Sequence, residues 1–183
     1  NVVSLCSNMQ RLQIANIATK NIVNMQNTFA QCYNLISIPP VDPNVVDMSN
    51  TYRYCNNLTG SPVCGDKVTN MSGTYQNCSK LTGQPVCGSN VTNMSSTYQN
   101  CSKLTGTPVC GNNVVDMYAT YQSSSITGSP VCGPNVTSMY STYGYCHFPV
   151  PICSLYTHTR LLHICRVHRF LLHSRPIPIL PFL

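Results

Sequence analysis

The sequence predicts an α/β solenoid: a curved stack of about six 23-residue units, with short parallel strands on the concave face and helical turns on the convex face. Three observations predict it. The chain repeats itself every 23 residues, each unit carries apolar residues spaced three, four and three apart, and the full units close on a short Leu-Thr-Gly or Ile-Thr-Gly segment followed by proline.

The period is read from its columns. Met25, Met48, Met71, Met94 and Met117 fall 23 residues apart, and Met139 arrives one residue early. Val45, Val68, Val91, Val114 and Val136 precede each methionine by three, while Phe29, Tyr52, Tyr75, Tyr98, Tyr121 and Tyr143 follow it by four. Cys32, Cys55, Cys78, Cys101 and Cys146 come three residues after the aromatic. Leu35, Leu58, Leu81, Leu104 and Ile126 form the next column, and a second set, Cys64, Cys87, Cys110 and Cys132, closes the units in Pro-Val-Cys-Gly. The fifth unit loses one residue between Tyr121 and Ile126 and carries serine where cysteine is due. Residues 1–20 read as a degenerate first unit, with Leu12 lying 23 residues before Leu35 and Met9 in a cysteine column.

The elements follow from the columns. Val91, Met94, Tyr98 and Cys101 would share one face of a short helix, with Thr92, Asn93, Ser95, Ser96 and Gln99 facing out. Leu104 to Val109 is extended and reads as a brief strand followed by a turn. Pro62, Pro85, Pro108 and Pro130 share a column and cannot donate to a ladder, so the strand must end there. A wide helical side and a narrow strand side would curve the stack, with like residues lying over like at roughly 4.8 Å per rung.

The runs Val68-Thr69-Asn70-Met71-Ser72-Gly73-Thr74-Tyr75-Gln76-Asn77-Cys78 and Val91-Thr92-Asn93-Met94-Ser95-Ser96-Thr97-Tyr98-Gln99-Asn100-Cys101, each leading to Leu-Thr-Gly, resemble the BspA-like, or Treponema pallidum-type, leucine-rich repeats of bacterial surfaces. The resemblance covers about residues 21–146. It implies a leucine-rich-repeat-like solenoid, an extracellular or cell-surface location, a role in adhesion and protein recognition, and no catalytic residues. Two features depart from the commoner pattern: the aromatic is mostly tyrosine, and Pro-Val-Cys-Gly replaces an Ile-x-Ile-Pro strand ending.

Composition narrows the function classes. Only 8% of residues are charged, and asparagine, serine, threonine and glutamine supply the polarity. The net charge of +6 is concentrated at one end: residues 1–146 hold Arg11, Lys20, Arg53, Lys67, Lys80 and Lys103 against Asp42, Asp47, Asp66 and Asp116, whereas residues 147–183 hold four arginines, all five histidines and no acid. The repeats are close to neutral, which argues against a nucleic-acid partner. Asn1 rather than methionine at the start reads as a fragment or processed form.

Candidate chemistry is sparse. The repeats contain no histidine and only four carboxylates, so no triad or carboxylate pair assembles, and neither an enzyme nor a cofactor is expected. The cysteines recur at repeat positions and read first as buried thiols, with disulfides and metal binding as alternatives. Zinc is disfavoured, because no Cys-x-x-Cys pair occurs and the set Cys146, Cys153, His163, Cys165 and His168 has no common zinc spacing. Asn-x-Ser/Thr sequons occur at Asn57, Asn70, Asn77, Asn90, Asn93, Asn100 and Asn135, as column composition dictates. The tyrosine column keeps register with valine and methionine and reads as core. Tyr118 and Tyr140 stand where other units have serine and should be exposed.

Residues 1–146 are therefore read as the solenoid and residues 147–183 as a poorly structured basic tail. Arg160, His163, Arg166, His168 and Arg169 exclude a membrane-spanning helix there, and surface contact between tail and membrane is not expected. The leading expectation is a non-catalytic array that meets a protein or glycan on a host or neighbouring cell through Thr59, Ser61, Thr82, Gln84, Thr105, Thr107, Thr127 and Ser129, with Tyr118 and Tyr140 widening the patch. The alternative is a section of a stalk or fibre that self-associates end to end.

Overall fold

The structure, a computed structural model, describes residues 22–146. The degenerate first unit and the basic tail lie outside the described residues. Within them the repeats are coils stacked in register, joined by isolated parallel bridges from Asn24 to Asp47, Asp47 to Asn70, Asn70 to Asn93, Asn93 to Asp116 and Asp116 to Ser138. The last step is one residue shorter than the others, and the shortened fifth unit supplies the reason.

The α/β class is overturned. No helix and no extended strand occurs among the described residues. The three-four-three spacing that suggested a helix belongs instead to a chain of overlapping turns, because two positions in each unit hold the left-handed conformation. The first, two residues after methionine, is Asn27, Asn50, Gly73, Ser96, Ala119 or Ser141, and the second, six after it, is Gln31, Tyr54, Asn77, Asn100, Ser123 or Tyr145, all with φ between 50° and 64°. A right-handed helix needs φ near about −63° throughout and cannot pass through either position.

The backbone donors show what replaces the helix. The N–H groups of Met94, Ser96, Tyr98 and Asn100 donate to the carbonyls of Asp116, Tyr118, Thr120 and Gln122 in the next coil at 2.7–2.9 Å. The alternate ones, of Thr97, Gln99 and Cys101, close turns on Met94, Ser96 and Tyr98 at 3.0–3.3 Å. Ser95 N–H donates to the Asn93 side chain at 2.8 Å. Every donor from Met94 to Cys101 is thus satisfied, and half of the bonds run between coils rather than within one.

The strand expected at Leu-Thr-Gly is also absent. The glycine that follows threonine sits at φ between 86° and 101° at Gly60, Gly83, Gly106 and Gly128, which breaks an extended run after two residues. What survives of the ladder is a bond from the threonine N–H to the preceding coil, as from Thr82 to Gly60 at 3.1 Å and from Thr127 to Gly106 at 2.8 Å. With neither helix nor strand among the described residues, the concave and convex faces and the curvature argued from their unequal widths fall as well.

The core columns hold. Valine, methionine, tyrosine, the first cysteine and leucine of the central coils are fully buried in one continuous cluster. Burial of each leucine or methionine contributes about 1.5–3 kcal/mol. The aromatic column stacks from Phe29 to Tyr143 with ring centroids 5.3–5.7 Å apart and planes within 15°. The threonine before each tyrosine of the column, Thr51, Thr74, Thr97, Thr120 and Thr142, is buried too: Thr97 Oγ1 lies 2.8 Å from both the Met71 and the Met94 carbonyl oxygens, so its one proton is shared between coils. A coil pulled from the stack would expose both of its faces and lose these bonds, so stability belongs to neighbours rather than to single units.

Candidate functional site

The Leu-Thr-Gly-x segment builds one edge of the stack. Leucine points into the core at Leu58, Leu81 and Leu104, with Ile126 in the fifth unit, and the next residue turns outward. Thr59, Thr82, Thr105 and Thr127 are exposed, as are Ser61, Gln84, Thr107 and Ser129 beyond the glycine. The glycines let this second row cross the neighbouring coil closely. A Cβ on Gly83 or Gly106 would collide with Ser61 Oγ or Gln84 Oε1, and one on Gly128 would come 3.3 Å from the Thr107 side chain.

Several of these groups are already engaged. Thr59 donates to the Ile36 carbonyl through both N–H and Oγ1, at 3.1 and 2.7 Å. The Gln84 amide spans to the next coil, donating through Nε2 to the Thr107 carbonyl and accepting the Thr107 N–H at 3.2 Å. The edge is therefore a neutral polar row whose members are partly held in place by coil-to-coil bonds.

Tyr118 and Tyr140 belong to a separate column, one residue after methionine. They are 46% and 55% exposed, and their rings stack on each other at 5.9 Å and 13°. Sequence reasoning missed Tyr33 and Tyr145, which are 44% and 62% exposed, and Tyr145 shares its left-handed column with the half-buried Tyr54.

The two cysteine columns separate. Cys55, Cys78 and Cys101 are buried and donate their thiol protons to the carbonyls of Phe29, Tyr52 and Tyr75 in the preceding coil, each at 3.1 Å. Burial pushes the Cys101 thiol up to about 12. Ser124 replaces this cysteine in the fifth unit and donates to Tyr121 O at 2.6 Å. The second column is not core: Cys64, Cys87 and Cys110 are half-buried and Cys132 is exposed. Among the described residues no three histidine, cysteine or acidic side chains gather as a metal site, and the tail's histidines lie outside them.

The phenols pin the segment that carries the second column. Tyr75, Tyr98, Tyr121 and Tyr143 each donate to the carbonyl and accept the N–H of Val63, Val86, Val109 and Val131, at 2.7–3.0 Å. Burial drives the Tyr98 hydroxyl well above the ordinary tyrosine range.

The carboxylates and sequons are mostly structural. Asp42, Asp47 and Asp116 each accept the N–H two residues on, at 2.7–2.8 Å. The side-chain amides of Asn57, Asn90, Asn100 and Asn135 donate to Tyr33 O, Asp66 O, Asn77 Oδ1 and Asn112 O of the preceding coil, so each holds one coil-to-coil bond.

Compared with known families, the chain is matched by the model described as Mycoplasma protein of unknown function, DUF285, over residues 1–105 and again over residues 41–129. Overlapping matches are what a tandem array gives when a model longer than one unit fits in more than one register. Neither a curated protein nor a solved structure matches it.

Proposed function

This chain belongs to the DUF285 family, and we propose that it is a non-catalytic recognition array of the BspA-like kind, working at a cell surface or outside the cell. The observation that carries the reading is the exposed row Thr59, Ser61, Thr82, Gln84, Thr105, Thr107, Thr127 and Ser129, which presents the same short polar segment once per coil. Such a row meets a broad protein or glycan surface by many weak contacts whose sum sets the affinity. The association of the DUF285 family with BspA-like repeat proteins supports the reading, as do the low charge of the repeats and the use of the aspartates as turn caps.

The test is binding of the full chain to an immobilised panel of glycans and extracellular-matrix proteins, beside a variant carrying Thr82→Ala, Thr105→Ala and Thr107→Ala. The reading expects at least one panel member to bind the wild type and the variant to lose roughly tenfold or more, given about 1 kcal/mol per lost hydrogen bond. Equal binding by the two proteins, or no binding by the wild type, overturns it.

A further inference from the structure

The outer cysteines form a row that the recognition edge does not use. Cys64, Cys87, Cys110 and Cys132 close four successive units, and each of the first three leans over the next coil just beside its own counterpart. A Cβ on Gly88 would fall 2.9 Å from Cys64 Sγ, one on Gly111 would fall 3.1 Å from Cys87 Sγ, and Gly133 N–H donates to Cys110 Sγ at 3.1 Å. Gly88, Gly111 and Gly133 are the residues that follow Cys87, Cys110 and Cys132. Each sulfur therefore rests against the next cysteine's own peptide.

Spacing and access agree. Bridged cysteines need Cα atoms about 4.4–6.8 Å apart, and parallel rungs lie about 4.8 Å apart. The inner column meets the same spacing, but its thiols are sealed in the core and donate to carbonyls at 3.1 Å, whereas the outer thiols make only longer contacts, at 3.5–3.6 Å, to the carbonyls of Gly65, Gly88, Gly111 and Gly133. The outer column reaches solvent, most fully at Cys132. A row of four pairs without remainder in one way only.

We propose that the outer column is a cross-linking site, in which Cys64 joins Cys87 and Cys110 joins Cys132 as disulfides between consecutive coils. The oxidant is a low-molecular-weight disulfide. The Cys132 thiolate attacks one of its sulfurs, forms a mixed disulfide and expels the first small thiolate; the Cys110 thiolate then attacks Cys132 Sγ and expels the second. Two protein thiols are oxidised, one small disulfide is reduced to two thiols, and the two protein protons pass to the leaving thiolates. Burial holds the Cys110 thiol up, and the Gly133 N–H aimed at its sulfur offsets only part of this, so the second step needs alkaline pH. Cys64 and Cys87 react in the same way. Each bond closes a loop of one repeat, which restrains the unfolded chain.

The full chain is oxidised with oxidised glutathione at mildly alkaline pH, unreacted thiols are alkylated under denaturing conditions, and the protein is digested with trypsin and chymotrypsin for mass spectrometry. The proposal expects linked peptides joining Cys64 to Cys87 and Cys110 to Cys132, alkylated Cys55, Cys78 and Cys101, and a melting temperature above that of the reduced protein. Cys110→Ser, at a half-buried position that tolerates serine, should keep the first bond, leave Cys132 alkylated and lose part of the thermal gain. Bridges that involve the inner column, outer cysteines alkylated throughout, or a Cys110→Ser protein with an unchanged gain would each overturn it.

Discussion

Tyr98→Phe removes a single oxygen from the middle of the stack and leaves the ring in its column. The Tyr98 hydroxyl donates to Val86 O at 2.7 Å and accepts Val86 N–H at 3.0 Å, so its loss strands both backbone polar groups of Val86 in the Pro-Val-Cys-Gly segment. At about 1 kcal/mol for each bond, the cost is about 2 kcal/mol. Tyr52 supplies an internal control. Its hydroxyl has one long contact, to Pro39 O at 3.4 Å, because Pro40 stands where the other units offer an N–H. Tyr52→Phe should therefore cost about 0.5 kcal/mol or less. Urea unfolding followed by circular dichroism reads both: the Tyr98→Phe midpoint should fall by about 1 M with an unchanged slope, and that of Tyr52→Phe by about a quarter of this. Equal shifts in the two variants, or no shift for Tyr98→Phe, would refute the claim that the phenols clamp the closing segment.

Other consequences are as direct. Thr97→Val keeps the shape of a buried side chain but removes the proton shared by the Met71 and Met94 carbonyls, and urea melts should show a loss of about 1–2 kcal/mol. Gly106→Ala places a Cβ at φ 101° and against Gln84 Oε1, so it should destabilise by about 1–2 kcal/mol; adding Gln84→Ala should restore only the steric part in the same melts. Burial raises the Cys101 thiol from 9.0 to about 12 and the Cys110 thiol from 9.0 to about 11, so the folded state resists an ionisation that the unfolded chain undergoes. Their contribution to stability should be constant below about pH 9 and fall as pH rises from about 9 towards 12, which thermal melts at about pH 8 and about pH 11 would resolve. Met94→Asp puts a carboxylate into a fully buried column and should unfold the neighbouring coils, seen as lost hydrogen-exchange protection from Met71 to Met117.

The core was legible in the sequence because burial depends on which column a residue occupies, and the 23-residue period fixes the columns whatever the local backbone does. Val91, Met94, Tyr98 and Cys101 all face inward, as a helix would have placed them. The helix itself was misread for the same reason: a chain of turns with two left-handed residues returns side chains to one face at the same three-four-three spacing. A signal was present, since asparagine or glycine fills the first left-handed column at Asn27, Asn50 and Gly73 and the second at Asn77 and Asn100, and these residues tolerate φ above zero. Serine, alanine and tyrosine elsewhere in those columns diluted it. The Asn or Asp before every methionine from Met25 to Met117 was equally informative, because its oxygen caps the turn that begins there.

The outward rows could be read from the sequence as exposed, but not what holds them. That Gln84 grips the Thr107 backbone depends on a glycine at Gly106 that lets the side chain cross, which is a relation between coils rather than within one. Likewise tyrosine in place of phenylalanine and Pro-Val-Cys-Gly in place of a strand ending look like separate departures. The phenol that bonds both polar groups of the valine makes them one device. The division of the cysteines into a sealed and an open column follows from the same clamp, since the closing segment it fixes lies at the margin of the core.

Nuclear Overhauser contacts in the isotope-labelled protein test the central claim most directly. Stacked, helix-free coils require contacts between side chains a full repeat apart, Met71 with Met94 and Tyr75 with Tyr98, whose rings lie 5.7 Å apart. They also require no run of i to i+4 contacts between Val91 and Cys101. A helical contact pattern in that segment, or methionines without neighbours one repeat away, would contradict the account.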